Sequence, residues 1–82
     1  MVKIVFYTTL GCHLCEEAQQ QLRHLVTVKA VEVEAVDISN SEDLVALYGT
    51  RIPVLKNLKS AQELDWPFDY PKLLQFAGLR IS

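Results

Sequence analysis

A change of period at residue 12 sets the terms for the fold. Residues Val2 to Tyr7 form a continuous apolar and β-branched run broken only by Lys3, which suits a central strand covered on both faces. After the turn Thr8-Thr9-Leu10-Gly11, residues Leu14, Ala18, Leu22 and Leu25 recur at helical spacing from Cys12 to about Val28, with Cys15 beside that stripe. Glu16 and Glu17 fall in the first turn, and Arg23, His24 and Lys29 lie toward the end, complementing the helix dipole. The pattern predicts a strand, a turn and a helix that begins at the two cysteines.

The rest of the chain continues the alternation. Val31 to Ile38 alternates partly between apolar and acidic residues, as expected of a strand near a sheet edge with one wet face. Strand, helix, strand then implies a parallel crossover. Ser39-Asn40-Ser41-Glu42 has the S-x-x-E spacing of a capping box, followed by Leu44, Val45, Leu47 and Tyr48 as a helical stripe and Gly49 as its stop. Ile52-Pro53-Val54-Leu55 reads as a brief strand and Gln62 to Trp66 as another, joined by the turn Lys56 to Ser60 into a hairpin. Asp69 caps a last helix with Pro71 in its first turn and Leu73, Leu74, Phe76 and Ala77 as its buried stripe, and Gly78 ends it. The expected order is βαβαββα.

At 82 residues, division into two units would leave neither half enough apolar surface to offset the entropy lost on folding, so residues 1–82 are read as one domain. Half the residues are hydrophobic and 22% are charged, a balance that suits a packed core. The net charge of −2 provides no basic field for a phosphate backbone or an anionic membrane surface, so neither nucleic acid nor membrane is an expected partner. The apolar run at the N-terminus is short for a signal sequence, and no stretch approaches the roughly 20 residues of a membrane span. The expectation is a cytoplasmic monomer.

Two cysteines three positions apart cannot form the long-range framework that holds small secreted domains together. Held at a strand-to-helix junction, the first thiol lies where unpaired backbone N–H groups and the positive end of the dipole favour a thiolate. Cys12 is therefore the candidate nucleophile. Cys15, one turn later on the face shared with Ala18 and Leu22, is expected to be more buried yet within reach of Cys12. This division suits thiol exchange, in which Cys12 attacks a disulfide sulfur and Cys15 resolves the mixed disulfide. A protonated His13 would lower the Cys12 pKa further, whereas Glu16 and Glu17 would oppose it.

With the strand ending Phe6-Tyr7-Thr8-Thr9, the Gly11-Cys12-His13-Leu14-Cys15 motif, the βαβαββα order and Arg51-Ile52-Pro53, the chain resembles the small bacterial glutaredoxin-like branch of the thioredoxin superfamily. The resemblance implies a thioredoxin-like α/β fold with a four-stranded mixed central sheet flanked by helices. It also implies thiol-disulfide oxidoreductase activity in cell redox homeostasis, on protein or low-molecular-weight disulfides. No cofactor is expected, and glutathione enters as an implied reductant. In such proteins the proline at the position of Pro53 is typically cis and faces the redox-active disulfide. The residue before it, here Ile52, offers backbone groups to an extended thiol peptide. Arg51 and Asp69 are the implied anchors of a substrate carboxylate and amine, and Thr9 stands where glutaredoxins carry a lysine. Trp66-Pro67-Phe68-Asp69 stands where they carry a Gly-Gly turn and an Asp, and without the glycines Arg51, Ile52 and Asp69 are the remaining candidates for holding glutathione. The acid that thioredoxins bury on the strand before their motif has no equivalent in Ile4-Val5-Phe6.

Other readings of the same residues stay open. A C-x-x-C pair at a loop-to-helix junction also suits a soft-metal or iron-sulfur cluster module, although two cysteines make only half a tetrahedral site and His13, His24 or a second chain would have to complete it. A structural staple is weaker, because so short a loop constrains the unfolded chain little. His24 reads as a solvated residue near a helix end, and Trp66 with Phe68 as core or edge cover.

Overall fold

The structure is a computed structural model and describes residues 2–78. Its elements are β1 (Val2–Thr8), α1 (His13–Val28), β2 (Val31–Asp37), α2 (Glu42–Tyr48), β3 (Val54–Asn57), β4 (Glu63–Asp65) and α3 (Tyr70–Phe76), with a 3-10 turn over Ile38–Asn40 between β2 and α2. The βαβαββα order follows the hydrophobic periods of the sequence. The strands lie in the order β2-β1-β3-β4, with β1 in the interior of the sheet, as suits an apolar run broken only by Lys3. β1 pairs parallel with β2 and antiparallel with β3, and β3 pairs antiparallel with β4. β2 is an edge strand, in keeping with its alternating glutamates.

Alternation along β1 sorts the core onto two faces. Ile4 and Phe6 join Cys15, Ala18, Leu22 and Leu25 of α1 and Leu73, Leu74 and Phe76 of α3 in one cluster. Tyr7 turns to the opposite face, where Ile38, Tyr48 and Val54 form a smaller cluster with Leu44. Ile4, Leu25, Leu55 and Leu73 are fully buried, and each such side chain contributes about 1.5–3 kcal/mol relative to exposure. Trp66 and Tyr70 pack against the larger cluster, and Phe68 belongs to it, with the Trp66 and Phe68 rings edge to face at 5.0 Å. Trp66 and Phe68 thus serve as core and edge cover, as the sequence reading expects.

Three details depart from the sequence reading. The cap of α2 is Ser41, whose Oγ accepts from the Leu44 N–H at 3.3 Å, rather than Ser39 of the S-x-x-E box. The reason lies upstream. The Asp37 carboxylate accepts from the Ser39 N–H and hydroxyl at 2.9 and 2.8 Å, ordering the 3-10 turn and moving the helix start by two residues. Leu14, placed on the buried stripe of α1, is 45% exposed, because the inward face of the first turn belongs to Cys15; Val45 and Leu47 of α2 are likewise exposed, since Leu44 and Tyr48 alone face the sheet. The first strand and the turn of the hairpin also fall two residues later than expected, while β4 lies within the expected Gln62 to Trp66. β3 starts at Val54 after Pro53, which has no N–H to give a ladder, and extends through Asn57, so the turn falls at 58–62.

Asn57 is a buried polar side chain that holds this turn against the last helix. Its Nδ2 donates to the Phe76 carbonyl at 3.0 Å, and its Oδ1 accepts from the Lys59 N–H at 2.9 Å. Ala61 in the same turn has φ +61. At the far end, the Asp69 carboxylate accepts from the Lys72 N–H at 2.9 Å and caps α3.

Candidate active site

The site lies at the C-terminal end of β1, where the chain turns into α1. Gly11 has φ +76, a conformation that side chains with a Cβ rarely adopt, and it sets Cys12 into the N-cap position of the helix. A cysteine at this position is unusual chemistry for a cap, since the acceptor is sulfur. Cys12 Sγ accepts from the Cys15 N–H at 3.1 Å, and the Cys12 carbonyl accepts from the Glu16 N–H at 3.3 Å. The sulfur of Cys12 thus meets the positive end of a sixteen-residue helix and one of its unpaired donors.

Cys12 and Cys15 form a disulfide with their Cα atoms 5.2 Å apart. The two sulfurs differ in environment. Cys12 is half-buried at the surface, whereas Cys15 is 3% exposed and packed with Ala18 and Phe6 in the larger core cluster. The asymmetry follows from the rise of one turn along nearly the same face: Cys12 sits at the open mouth of the helix, and Cys15 lies a turn further in, where the helix meets the sheet.

The sequence-derived site residues have different neighbours. His13 is almost fully exposed, and its Nδ1 lies 3.7 Å from Glu16 Oε2, so its nearest partner is a carboxylate one turn on. Thr9 lines a cleft beside the disulfide together with Cys12 and Cys15. Pro53 is buried, and Ile52 packs against both core clusters. The β1–β3 register pairs Tyr7 with Val54, so continuing it by one residue sets Pro53 opposite Thr8 at the end of the strand that leads to Cys12. The Ile52–Pro53 and Trp66–Pro67 peptides are cis. The Ile52 N–H donates to the Tyr48 carbonyl at 3.0 Å, which leaves the carbonyl as the group Ile52 can present to an extended chain.

Arg51 is engaged within the fold. Its Nε and one terminal nitrogen donate to both Asp65 oxygens at 3.0 and 2.8 Å, the same nitrogen donates to Glu63 at 2.9 Å, and the guanidinium lies 5.2 Å from the centre of the Tyr48 ring. Hydrogen bonds from Tyr48 and Arg51 hold the Glu63 carboxyl below the usual carboxylate range, and hydrogen bonds from Arg51 do the same for Asp65. The Tyr48 hydroxyl, donating to Glu63 at 2.6 Å, is pushed well above its ordinary value. Asp69 is occupied in capping α3.

The cleft of about 350 Å³ beside the disulfide brings in residues that the sequence reading did not assign to the site, among them Leu10, Gln19 and Asp37. The signal that would have found Asp37 is register. β1 and β2 are parallel and end together, Thr8 opposite Asp37, so the last residue of β2 must lie beside the loop that carries Cys12. His24 is exposed and meets the Tyr70 ring edge to face at 5.0 Å. No group of three or more His, Cys, Asp or Glu among the described residues is arranged to hold a metal ion, and none of their helices is long and apolar enough to cross a membrane.

A mixed four-stranded sheet with helices on both faces and a C-x-x-C disulfide at the first strand-to-helix junction defines a protein of the thioredoxin fold. A mutant thioredoxin from Halobacterium salinarum NRC-1 superposes on it with a TM-score of 0.70 at 18% identity, over 98% of this chain and 78% of that one. Within that class the chain belongs to the Glutaredoxin-like domain (DUF836) family, whose model matches residues 3–76. It is similar to the structural genomics target protein XcR50 from X. campestris, at 33% identity and a TM-score of 0.78 over 92% of this chain and 95% of that chain. It is also similar to protein Ne2328 from Nitrosomonas europaea, at 36% identity and a TM-score of 0.74 over 94% and 87%. No curated protein matches the sequence.

Proposed function

We propose that this chain is a dithiol thiol-disulfide oxidoreductase in which Cys12 is the nucleophile and Cys15 the resolving thiol. The observation that carries the reading is the asymmetry of the pair: one sulfur at the surface in the N-cap of α1, accepting a backbone N–H, and the other in the core one turn on. The N-cap donor and the helix dipole stabilise a Cys12 thiolate, and the burial of Cys15 favours its neutral thiol, so Cys12 is the sulfur poised to attack.

In the reductive direction the Cys12 thiolate attacks a disulfide sulfur, forming a mixed disulfide and expelling one half of the substrate as a thiolate that takes a proton from solvent. Cys15 then loses its proton and attacks Cys12 Sγ, closing the intramolecular disulfide and releasing the second half as a thiol. Two electrons pass from the dithiol to the substrate, and an external thiol, glutathione or a dithiol protein, restores the reduced form. The Ile52 carbonyl beside Pro53 is the proposed backbone contact for an extended substrate, and Thr9, which lines the cleft beside the disulfide, is a second proposed contact. Arg51 acts here as a strut for the β3–β4 end of the molecule, and Asp69 as a helix cap.

The experiment is mixed-disulfide trapping. Reduced Cys15→Ser protein, treated with glutathione disulfide and in parallel with a protein disulfide, is expected to accumulate a covalent adduct detectable by mass, whereas Cys12→Ser is not. An adduct on Cys12→Ser alone would reverse the roles, and no adduct on either with any disulfide would contradict the assignment.

A further inference from the structure

The cleft beside the disulfide is charged in one sense. Cys12 and Cys15 form part of its wall, Leu10 stands 91% exposed at its rim, and the ionisable carboxyl groups that line it are those of Asp37 and Glu16. No lysine or arginine among the described residues lines it. The Asp37 carboxylate is fixed in place by the N–H and hydroxyl of Ser39, and these bonds hold it below the usual carboxylate range, so it is anionic at neutral pH. Glu16 extends from the first turn of α1 with His13 as its neighbour. On the β3–β4 side, the Arg51 cation is already matched by two carboxylates, Glu63 and Asp65. A disulfide entering this cleft therefore meets two negative charges within the space that the reactive sulfurs themselves wall.

We infer that the cleft is a substrate subsite that selects disulfides carrying an ammonium or guanidinium group next to the sulfur that becomes bonded to Cys12. This selectivity rests on the proposed dithiol exchange and gives that reaction its substrate class. The cationic half stays on Cys12 in the mixed disulfide, with its charge against Asp37 and Glu16, until Cys15 attacks Cys12 and releases it as a thiol. The other half leaves first. Anionic disulfides enter the same space against like charge, which disfavours them.

Small symmetric disulfides that differ in charge test the subsite. Pre-reduced protein is mixed with cystamine, 2-hydroxyethyl disulfide or 3,3′-dithiodipropionate, and the rate of Cys12–Cys15 disulfide formation is followed at low ionic strength. The readout is the ratio of the cystamine rate to the hydroxyethyl rate in the parent protein divided by the same ratio in Asp37→Asn and in Glu16→Gln, so that the leaving thiols' own reactivities cancel. This quotient is expected to be about five for each carboxylate removed, the factor that an exposed charge pair at contact gives, and to shrink toward one at about 1 M salt. The amide introduced by Asp37→Asn keeps an oxygen acceptor for Ser39, and Glu16 is exposed on α1, so at least the second variant leaves the fold intact.

A second pair of probes, peptide disulfides with lysine or with glutamate beside the cysteine, separates the two sources of the charge. Preference for cystamine alone assigns the subsite to a low-molecular-weight amine disulfide, and preference extending to the lysine peptide assigns it to a polypeptide. Ratios unchanged by both substitutions, with all disulfides reacting, would overturn the subsite and leave the dithiol exchange standing. Reaction with none of them would overturn both.

Discussion

Arg51 illustrates how a single side chain can be recruited by the fold before any substrate arrives. Its planar fork meets Asp65 in a bidentate pair and Glu63 beside it, while its face lies on Tyr48. The groups are partly exposed, so the network is worth less than its geometry suggests, but its pH signature is definite. Glu63 and Asp65 have ordinary values of 4.5 and 3.8 and are lowered in the folded state. Their contribution is therefore fully present above those ordinary values and is lost as the pH falls through the lower folded ones. Thermal unfolding followed downward from neutral pH should show a steeper acid decline in the parent than in Arg51→Gln. Parallel acid branches would show that the network carries no linkage. The spacing Arg51-Ile52-Pro53 was legible in the sequence, but the partners of Arg51 were not, because Glu63 and Asp65 reach it only through the β3–β4 register.

Among the elements, the caps give the clearest tests. Ser41, not Ser39, accepts the Leu44 N–H, so Ser41→Ala should lower stability by about 1 kcal/mol. Ser39→Ala, which removes only an exposed hydroxyl's bond to Asp37, should cost less; chemical denaturation of the two variants distinguishes them, and the opposite ranking would restore the S-x-x-E box. Helix and strand periods were readable from the chain because burial imposes them directly. Cap identity was not, because two serines two residues apart compete for the role and the winner is set by Asp37 ordering the 3-10 turn. The hairpin turn holds a second case. Ala61 has φ +61, a left-handed conformation that an L-residue adopts at a cost of about 1–2 kcal/mol. Ala61→Gly should therefore stabilise the protein by up to about 1 kcal/mol, since glycine's own entropy cost offsets part of the relief; a loss of stability would contradict this reading of the turn.

For the molecule as a whole, the central strand is what couples fold to chemistry. β1 sends Ile4 and Phe6 to one core and Tyr7 to the other, and its C-terminal end delivers Cys12 to the mouth of α1. The run Val2 to Tyr7 and the stripe Ala18, Leu22 and Leu25 made this arrangement legible from sequence, as did the C-x-x-C pair at the junction. The cleft was hidden, because it is walled by residues from β1, the following loop, α1 and β2 that only the parallel pairing of Thr8 with Asp37 assembles. The same packing ties the site to global stability. Truncating Leu73, fully buried in the cluster that holds Cys15, to alanine should cost about 2–5 kcal/mol. The central claim concerns the two sulfurs, and it is tested most directly by the pH dependence of iodoacetamide alkylation of the fully reduced protein, with each cysteine followed separately by peptide mass. The account predicts that Cys12 is modified with a midpoint well below the value of about 8.5 for an unperturbed thiol while Cys15 is protected. Equal, slow labelling of both, rising together only at alkaline pH, would contradict it.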